Sequence, residues 1–350
     1  MFINGLGTAV PPRSFSQREC WEALGRIEHP ALTRRVRAVL EGILTHDNGI
    51  ERRSLALDDI EESFELDPDT LYRRFSREAP ALASRAAVRA LEQAGLDAKA
   101  VDGVIVSTCT GYLCPGLTSY VAEALDLRPE AVALDLVGQG CGAALPNLRA
   151  GKALIDSGCE NVLCICVEVC SAAMYIDSDL GVLVSACLFG DGAAAALVSR
   201  SPIDATRRVE WKDGVSLTMP GKRDALRFEQ RGGMLRNILT LPVPQLAGRY
   251  AREVFDRCAS KNGLGAEDIG AWIMHAGGRK VLEELSATLA LDDTDLQFSR
   301  AMLRDYGNLS SPFVLFVLDA ALRAHAPGGS WWMSSFGAGF SCHGALLEVT

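Results

Sequence analysis

The sequence predicts an α/β protein made of two similar halves, and three observations carry that prediction. The chain has 350 residues, past the ~250–300 at which a single core stops growing. Its strand candidates are short apolar runs without alternation, Val104 to Val106, Val162 to Val167 and Trp272 to Met274, which suit strands covered on both faces by helices. One stretch also recurs. Ala87 to Val106, AVRALEQAGLDAKAVDGVIV, parallels Arg252 to Met274, REVFDRCASKNGLGAEDIGAWIM, and pairing Gly95-Leu96 with Gly263-Leu264 sets Ser107 opposite His275, 168 residues on. Self-similarity at a fixed spacing is the signature of a duplicated unit.

Taken in order, the elements fit that frame. The N-terminal MFINGLGTAVPP has no basic region and no long apolar stretch, and the richest apolar run, Phe313 to Leu318, is far short of a bilayer span. A cytoplasmic protein without membrane insertion is expected. Leu82 to Ala94 reads as an amphipathic helix stopped by Gly95, followed by the strand to Val106. A strand ends at Val137; Pro146 is tolerable only in a helix's first turn, so a helix opens just after Cys141. Strands follow at Val162 to Val167 and Ala193 to Val198, and Ser199-Arg200-Ser201-Pro202 reads as the seam between halves 1–200 and 201–350. The second half repeats helix, Gly stop and strand, then a helix from Pro312 to Arg323 with Ser311 as N-cap, then a strand Trp331 to Ser335.

With 35 basic and 44 acidic side chains the net charge is −9, which argues against nucleic acid or an anionic membrane as the main partner. Eleven cysteines without a targeting signal read as reduced thiols. Cys159, Cys164, Cys166 and Cys170 lack paired Cys-x-x-Cys knuckles and a nearby histidine, so no metal site is expected.

Three residues stand out for chemistry. Cys141, flanked by Gly140 and Gly142 before a helix, sits where unpaired amides and the macrodipole favour a thiolate. A small buried cysteine would look the same. His275 ends a buried strand and is followed by Gly277-Gly278, in the kind of loop where α/β sheets bind ligands. Asn308, in the turn Tyr306-Gly307-Asn308, would ordinarily serve its own backbone. Together they fit a thiol nucleophile whose partners lie far away in sequence.

The stretches GQGCGAALPNLRAGKAL around Cys141, CLFGDGAAAALV from Cys187, WIMHAGG around His275 and DYGNLSSPFVLFVLD around Asn308 are similar to the type III polyketide synthases, the chalcone-synthase-like branch of the thiolase-fold condensing enzymes, and the resemblance covers nearly the whole chain. It implies a five-layered αβαβα thiolase-like fold, a homodimer, and iterative condensation of malonyl-CoA extender units onto an acyl-CoA starter. It implies Cys141 as nucleophile and His275 with Asn308 as donors to the enolate oxygen. No cofactor beyond the CoA thioesters is implied.

Departures from the family pattern concern substrate. Phe189 matches one of two gate phenylalanines, while the second falls on Leu241 across a one-residue gap, so the gate is expected to be wider. Ala173 stands where plant enzymes carry a pocket threonine; Gly233 and Ser310 keep small pocket positions. Cys114, before Pro115 in a turn that suits a cis peptide, replaces a methionine that reaches into the partner's cavity. Ser335-Phe336-Gly337-Ala338-Gly339 differs from the family's Gly-Phe-Gly-Pro-Gly loop. The segment aligned with the family's CoA-binding cations, Leu40 to Asp47, has no Lys or Arg. Arg34, Arg35, Arg37, Arg52, Arg53 and Arg279 are the substitutes, with Arg35 and Arg279 ranked first and Gly277-Gly278 expected along the pantetheine.

A medium or long fatty acyl starter, giving an alkylpyrone, alkylresorcinol or related product, is the leading expectation. The alternative is a priming ketoacyl-acyl-carrier-protein synthase, which performs one condensation with the same three residue types.

Overall fold

The computed structural model describes residues 1–64, 67–175, 179–203 and 207–350. Its strands are β1 (Phe2–Ala9), β2 (Ser14–Ser16), β3 (Arg52–Ser54), β4 (Gly103–Thr108), β5 (Val132–Val137), β6 (Asn161–Glu168), β7 (Gly192–Ser199), β8 (Val209–Thr218), β9 (Leu226–Arg231), β10 (Met234–Leu239), β11 (Ile269–Met274), β12 (Gly329–Gly337) and β13 (Ser341–Val349). The helices are α1 (Gln17–Gly25), α2 (Arg34–Leu44), α3 (Pro68–Ala94), α4 (Leu117–Ala124), α5 (Ala144–Asp156), α6 (Leu180–Leu188), α7 (Val243–Asn262), α8 (Arg279–Leu289), α9 (Gln297–Tyr306) and α10 (Phe313–Arg323).

Nine strands form one mixed sheet in the order β11-β12-β13-β8-β1-β7-β6-β4-β5. On one side β4 and β6 are parallel while β6–β7 and β7–β1 are antiparallel. On the other, β11 and β12 are parallel while β12–β13 and β13–β8 are antiparallel. The second set therefore repeats the first strand for strand, with β5 added at one edge. Among the described residues the two pair only where β1 touches β8, through Phe2 with Glu210 and Ile3 with Val209.

So slight a seam leaves the half-sheets free to face each other across shared helices. Helix α5 packs on β4 and β6 of one half and on β12 and β13 of the other, and α10 likewise touches β1 and β7 as well as β11 and β12. A helix enclosed on both sides must be apolar nearly all round, and eight of the eleven residues of α10 are buried. Outside, α3 covers β1, β7 and β6, and α7 covers β13 and β8. The result is the five-layered αβαβα arrangement.

The duplicated helices α3 and α7 both close on left-handed glycines, Gly95 at φ 63° and Gly263 at φ 67°. Helix α3 starts well before the expected Leu82. Asp67 accepts from the Thr70 amide at 3.0 Å as its N-cap, Pro68 takes the first turn, and the helix runs through Pro80. Pro80 forfeits one backbone hydrogen bond. Ala79, Ala83, Ala86, Ala87 and Ala90, all fully buried, compensate by close packing on the sheet.

Candidate active site

The site lies where β4, β6 and β11 end and where α5 and α10 begin. Gly140–Gly142 forms a single 3-10 turn that leads into α5, and Cys141 at its centre is buried. The Ser310 hydroxyl donates to Cys141 Sγ at 3.2 Å. Ser310 has a left-handed backbone, φ 60°, and its N–H is held by Asn308 Oδ1 at 2.8 Å. Asn308 Nδ2 in turn donates to the Gly277 carbonyl at 3.2 Å. Two residues before Gly277, His275 is buried edge-on between Phe313 and Phe336, at 5.3 and 5.1 Å between ring centres. The strand end bearing Phe336 closes the circuit, because Ser335 Oγ donates to the Gly142 carbonyl at 3.1 Å. Cys141, His275 and Asn308 are thus gathered into one site from both halves of the chain.

The electrostatics correct one expectation. Burial pushes the Cys141 thiol up to about 12, the Ser310 hydroxyl pulls it back in part, and Glu168 raises it again. Burial also pushes the His275 imidazole down to about 3. Both residues are therefore neutral at neutral pH, and the loss of hydration outweighs the favourable field at the start of α5. Neither ring nitrogen of His275 has a protein partner among the described residues, which leaves a neutral imidazole with one free donor and one free acceptor.

Glu168 is a buried polar hub beside Cys141. At the end of β6 it accepts from the Cys109 amide at 3.0 Å and Thr110 Oγ1 at 2.9 Å on one side. On the other it accepts from Ser311 Oγ at 2.6 Å, and Ser310 Oγ, whose single proton points to Cys141, lies 3.4 Å away. Burial raises its carboxyl above the usual range, and these donors, Ser311 first, lower it. Ser311 was expected to cap α10; instead the helix opens at Pro312 without a side-chain cap, and the hydroxyl serves Glu168. A carboxylate closing the apolar run Cys164-Ile165-Cys166-Val167 was the available signal.

The chain is similar to known proteins along nearly its full length. Residues 60–219 match the family model "FAE1/Type III polyketide synthase-like protein" and residues 223–348 match "Chalcone and stilbene synthases, C-terminal domain". A 3,5-dihydroxyphenylacetyl-CoA synthase of Streptomyces toyocaensis is 31% identical, with 99% of this chain and 89% of that protein covered. The chain belongs to the type III polyketide synthases. A 1,3,6,8-tetrahydroxynaphthalene synthase of Streptomyces peucetius subsp. caesius is 32% identical, covering 99% of the synthase and 92% of the relative. Among solved structures, PKS-I of the brown alga Ectocarpus siliculosus superposes with a TM-score of 0.91 at 26% identity, covering 99% and 97% of the two chains. The C-terminal type III polyketide synthase domain of Steely1 from Dictyostelium has the same fold, with a TM-score of 0.88 at 22% identity and coverage of 99% and 98%.

Type III polyketide synthases are condensing acyltransferases that extend acyl-CoA with malonyl-CoA, and part of the expected pocket lies beside Ser310, the residue whose hydroxyl reaches Cys141. Phe189 and Ala173 line a cavity with Ser310, Cys170 and Met174. Gly277 supplies the carbonyl that holds Asn308, and Gly278 opens α8.

Other expected pocket residues of the synthase lie elsewhere. Gly233 is in the two-residue turn of the β9–β10 hairpin, where Arg231 pairs with Met234. Gly232 and Gly233 have φ of 59° and 81°, the left-handed pair that a type I′ turn requires, so Gly233 serves the turn and faces Pro68. Leu241 is 92% exposed, just before α7. Cys114 is exposed beside a cis bond to Pro115. Arg35 is exposed on α2. Arg279 is already engaged by Glu283 at 2.8 Å and by the Asp47 carboxylate at 3.2 Å. Arg53, one of the substitute CoA cations, is buried and turned inward. No helix among the described residues is long and apolar enough to cross a membrane.

Proposed function

We propose that the synthase loads a medium or long fatty acyl starter from CoA onto Cys141 and extends it with several malonyl-CoA units to an alkylpyrone, alkylresorcinol or related product. Cys141 Sγ attacks the starter thioester while His275 takes its proton and returns it to the departing CoA thiolate. Malonyl-CoA then loses carbon dioxide, and the enolate oxygen accepts from the His275 ring N–H and Asn308 Nδ2. A neutral His275, with a donor and no net charge, suits that second task. The enolate carbon attacks the Cys141 thioester, the carbon–carbon bond forms, and the thiolate leaves to be acylated again. The reaction needs no cofactor beyond the two CoA thioesters.

The observation that carries the starter reading is the apolar continuation of the cavity. Met174 and Ala186 line both the cavity at Ala173 and a second chamber walled mainly by Leu24, Leu40, Leu44, Leu55 and Leu183, with Arg53 also in its lining. Methionine is unbranched and yields easily, so a chain passing Ala173 could displace it into leucine surroundings, at about 0.8 kcal/mol gained per buried methylene. A second reading, a hydroxylated aromatic ring built on a short starter, is favoured by the printed names of the relatives at 31–32% identity.

In this proposal the half 1–200 brings Cys141 and the half 201–350 brings His275 and Asn308. Exposed Tyr112, Val132, Leu134 and Val137, at and near edge strand β5, support a homodimer, and eleven free thiols support the cytoplasm. The test is incubation with malonyl-CoA and acyl-CoA starters of rising length, without carrier protein, followed by product mass analysis. Several extensions on long starters support the proposal. One extension requiring carrier protein would restore the ketoacyl-synthase alternative, and products from short starters alone would select the aromatic reading. The Cys141→Ala variant is expected to form no starter adduct.

A further inference from the structure

Arg53 is 3% exposed, and no carboxylate pairs with it among the described residues. Its compensation comes from the end of α6. Nη1 donates to the Ala186 carbonyl at 2.6 Å and to the Phe189 carbonyl at 2.8 Å, where the helix dipole is negative and the last carbonyls lack intrahelical donors. Nε donates to Gln17 Oε1 at 3.1 Å and Nη2 to Cys20 Sγ at 3.3 Å. The guanidinium is thus fixed on every side, and it fixes residues 186–189 in return.

That segment is the rail on which Asn308 rides. The Asn308 amide donates to the Leu188 carbonyl at 2.9 Å, and the Gly190 amide donates to the Asn308 carbonyl at 3.0 Å. Phe189 and Asn308 pair as an isolated parallel bridge. The stem of Arg53 also lies against the residue before Asn308, since a Cβ added to Gly307 would come within 2.7 Å of Arg53 Cγ. One buried cation therefore touches both sides of the joint, the α6 rail through its nitrogens and Gly307 through its stem.

We propose that Arg53 is a positioning residue for the condensation, holding the Phe189 and Asn308 backbones so that the Asn308 carboxamide meets the enolate oxygen. This rests on the reading of Asn308 as an enolate donor, and a double-mutant cycle separates the two. Arg53→Met, Arg53→Lys, Asn308→Ala and Arg53→Met with Asn308→Ala are each assayed for malonyl-CoA decarboxylation without starter and for acylation of Cys141 by acetyl-CoA, too short to reach the chamber that Arg53 also lines, read by intact mass. Thermal unfolding is recorded alongside.

Arg53→Met is expected to lower kcat for decarboxylation by about 10²-fold, near the loss for an oxyanion donor, with Cys141 acylation within about threefold of the parent. Arg53→Lys, which keeps the charge but has no fork to span two carbonyls, should recover part of that loss. In the Asn308→Ala background Arg53→Met should add almost nothing, because residues acting through one another are not additive. Losses that multiply, equal losses in both half-reactions, or failure of both Arg53 variants to fold would overturn the proposal. If Asn308→Ala itself leaves decarboxylation intact, it is the reading of Asn308 that falls.

Discussion

The Ser310 hydroxyl reaches Cys141 Sγ across 3.2 Å from a residue held at φ 60°. A left-handed serine costs of order 1–3 kcal/mol and persists only where its surroundings over-determine it. Here the Asn308 side chain holds the Ser310 amide, so the residue that reaches the proposed nucleophile is itself oriented by a proposed enolate donor. Removing the hydroxyl by Ser310→Ala should raise the Cys141 thiol further, since this hydrogen bond is the larger of the two influences that lower it. A hydrogen bond worth about 0.5–1.5 kcal/mol corresponds to roughly two- to tenfold slower alkylation by iodoacetamide at fixed pH. An unchanged rate would show that the hydroxyl donates to Glu168 instead.

Acid stability should depend on His275. Its imidazole titrates near 3 when folded against about 6.5 unfolded. Between those values the unfolded chain carries the extra proton, so stability is full above pH 6.5 and falls as pH drops towards 3. His343, held near 4 by burial, acts in the same direction. Urea unfolding at pH 6.5 and 5 should show a loss that His275→Gln reduces by about 1–2 kcal/mol, from the 1.36 kcal/mol per unit at full effect. Equal pH dependence in parent and variant would rule out a neutral buried His275.

Ala173→Trp should separate starters by length. The cavity beside Ala173 is reached before the leucine-lined chamber beyond Met174 and Ala186, so an indole there is expected to abolish turnover of long acyl-CoAs while sparing short ones. Turnover measured from acetyl to dodecanoyl starters checks this, and uniform loss would signal general damage. Unchanged long-chain turnover would take Ala173 out of the wall.

Two glycines should behave oppositely. A Cβ at Gly337 would collide with the Gln139 carbonyl and the Gly142 amide, the backbone on either side of Cys141. Gly337→Ala is therefore expected to slow Cys141 acylation by about 10²-fold, the penalty of an ångström-scale misplacement, and to cost about 1–3 kcal/mol. A Cβ at Gly42, inside α2, meets nothing within 4 Å. Gly42→Ala should add about 0.5–1 kcal/mol with unchanged turnover. Urea midpoints and adduct formation measure both.

The sequence disclosed most where a residue's neighbours in space are also its neighbours in the pattern. Gly95 and Gly263 marked the two halves because a helix stop is local, and buried strands such as Val162 to Val167 carry their burial in their own composition. What stayed hidden was decided by partners far along the chain. Ser311 looked like a helix cap until Glu168, 143 residues earlier, claimed its hydroxyl. Arg53 looked like one more surface cation until the end of α6 enclosed it. Gly233 looked like a pocket glycine, although a type I′ turn demands the same residue. Leu241 could not be placed because exposure depends on tertiary packing that an alignment gap does not report.

The repeat of β4, β6, β7 and β1 by β11, β12, β13 and β8 bears on how the nucleophile came to have its partner. Helices α5 and α10 are counterparts in the two halves, and Cys141 and Ser310, 169 residues apart, each lie three residues before their helix. They occupy equivalent positions in the two halves. In an ancestor assembled from two identical copies, those positions would have met as twins across the axis, each bound to remain what the other was. Two differing halves in one chain are free of that constraint: one can place a thiol, Cys141, where the other places a hydroxyl, Ser310.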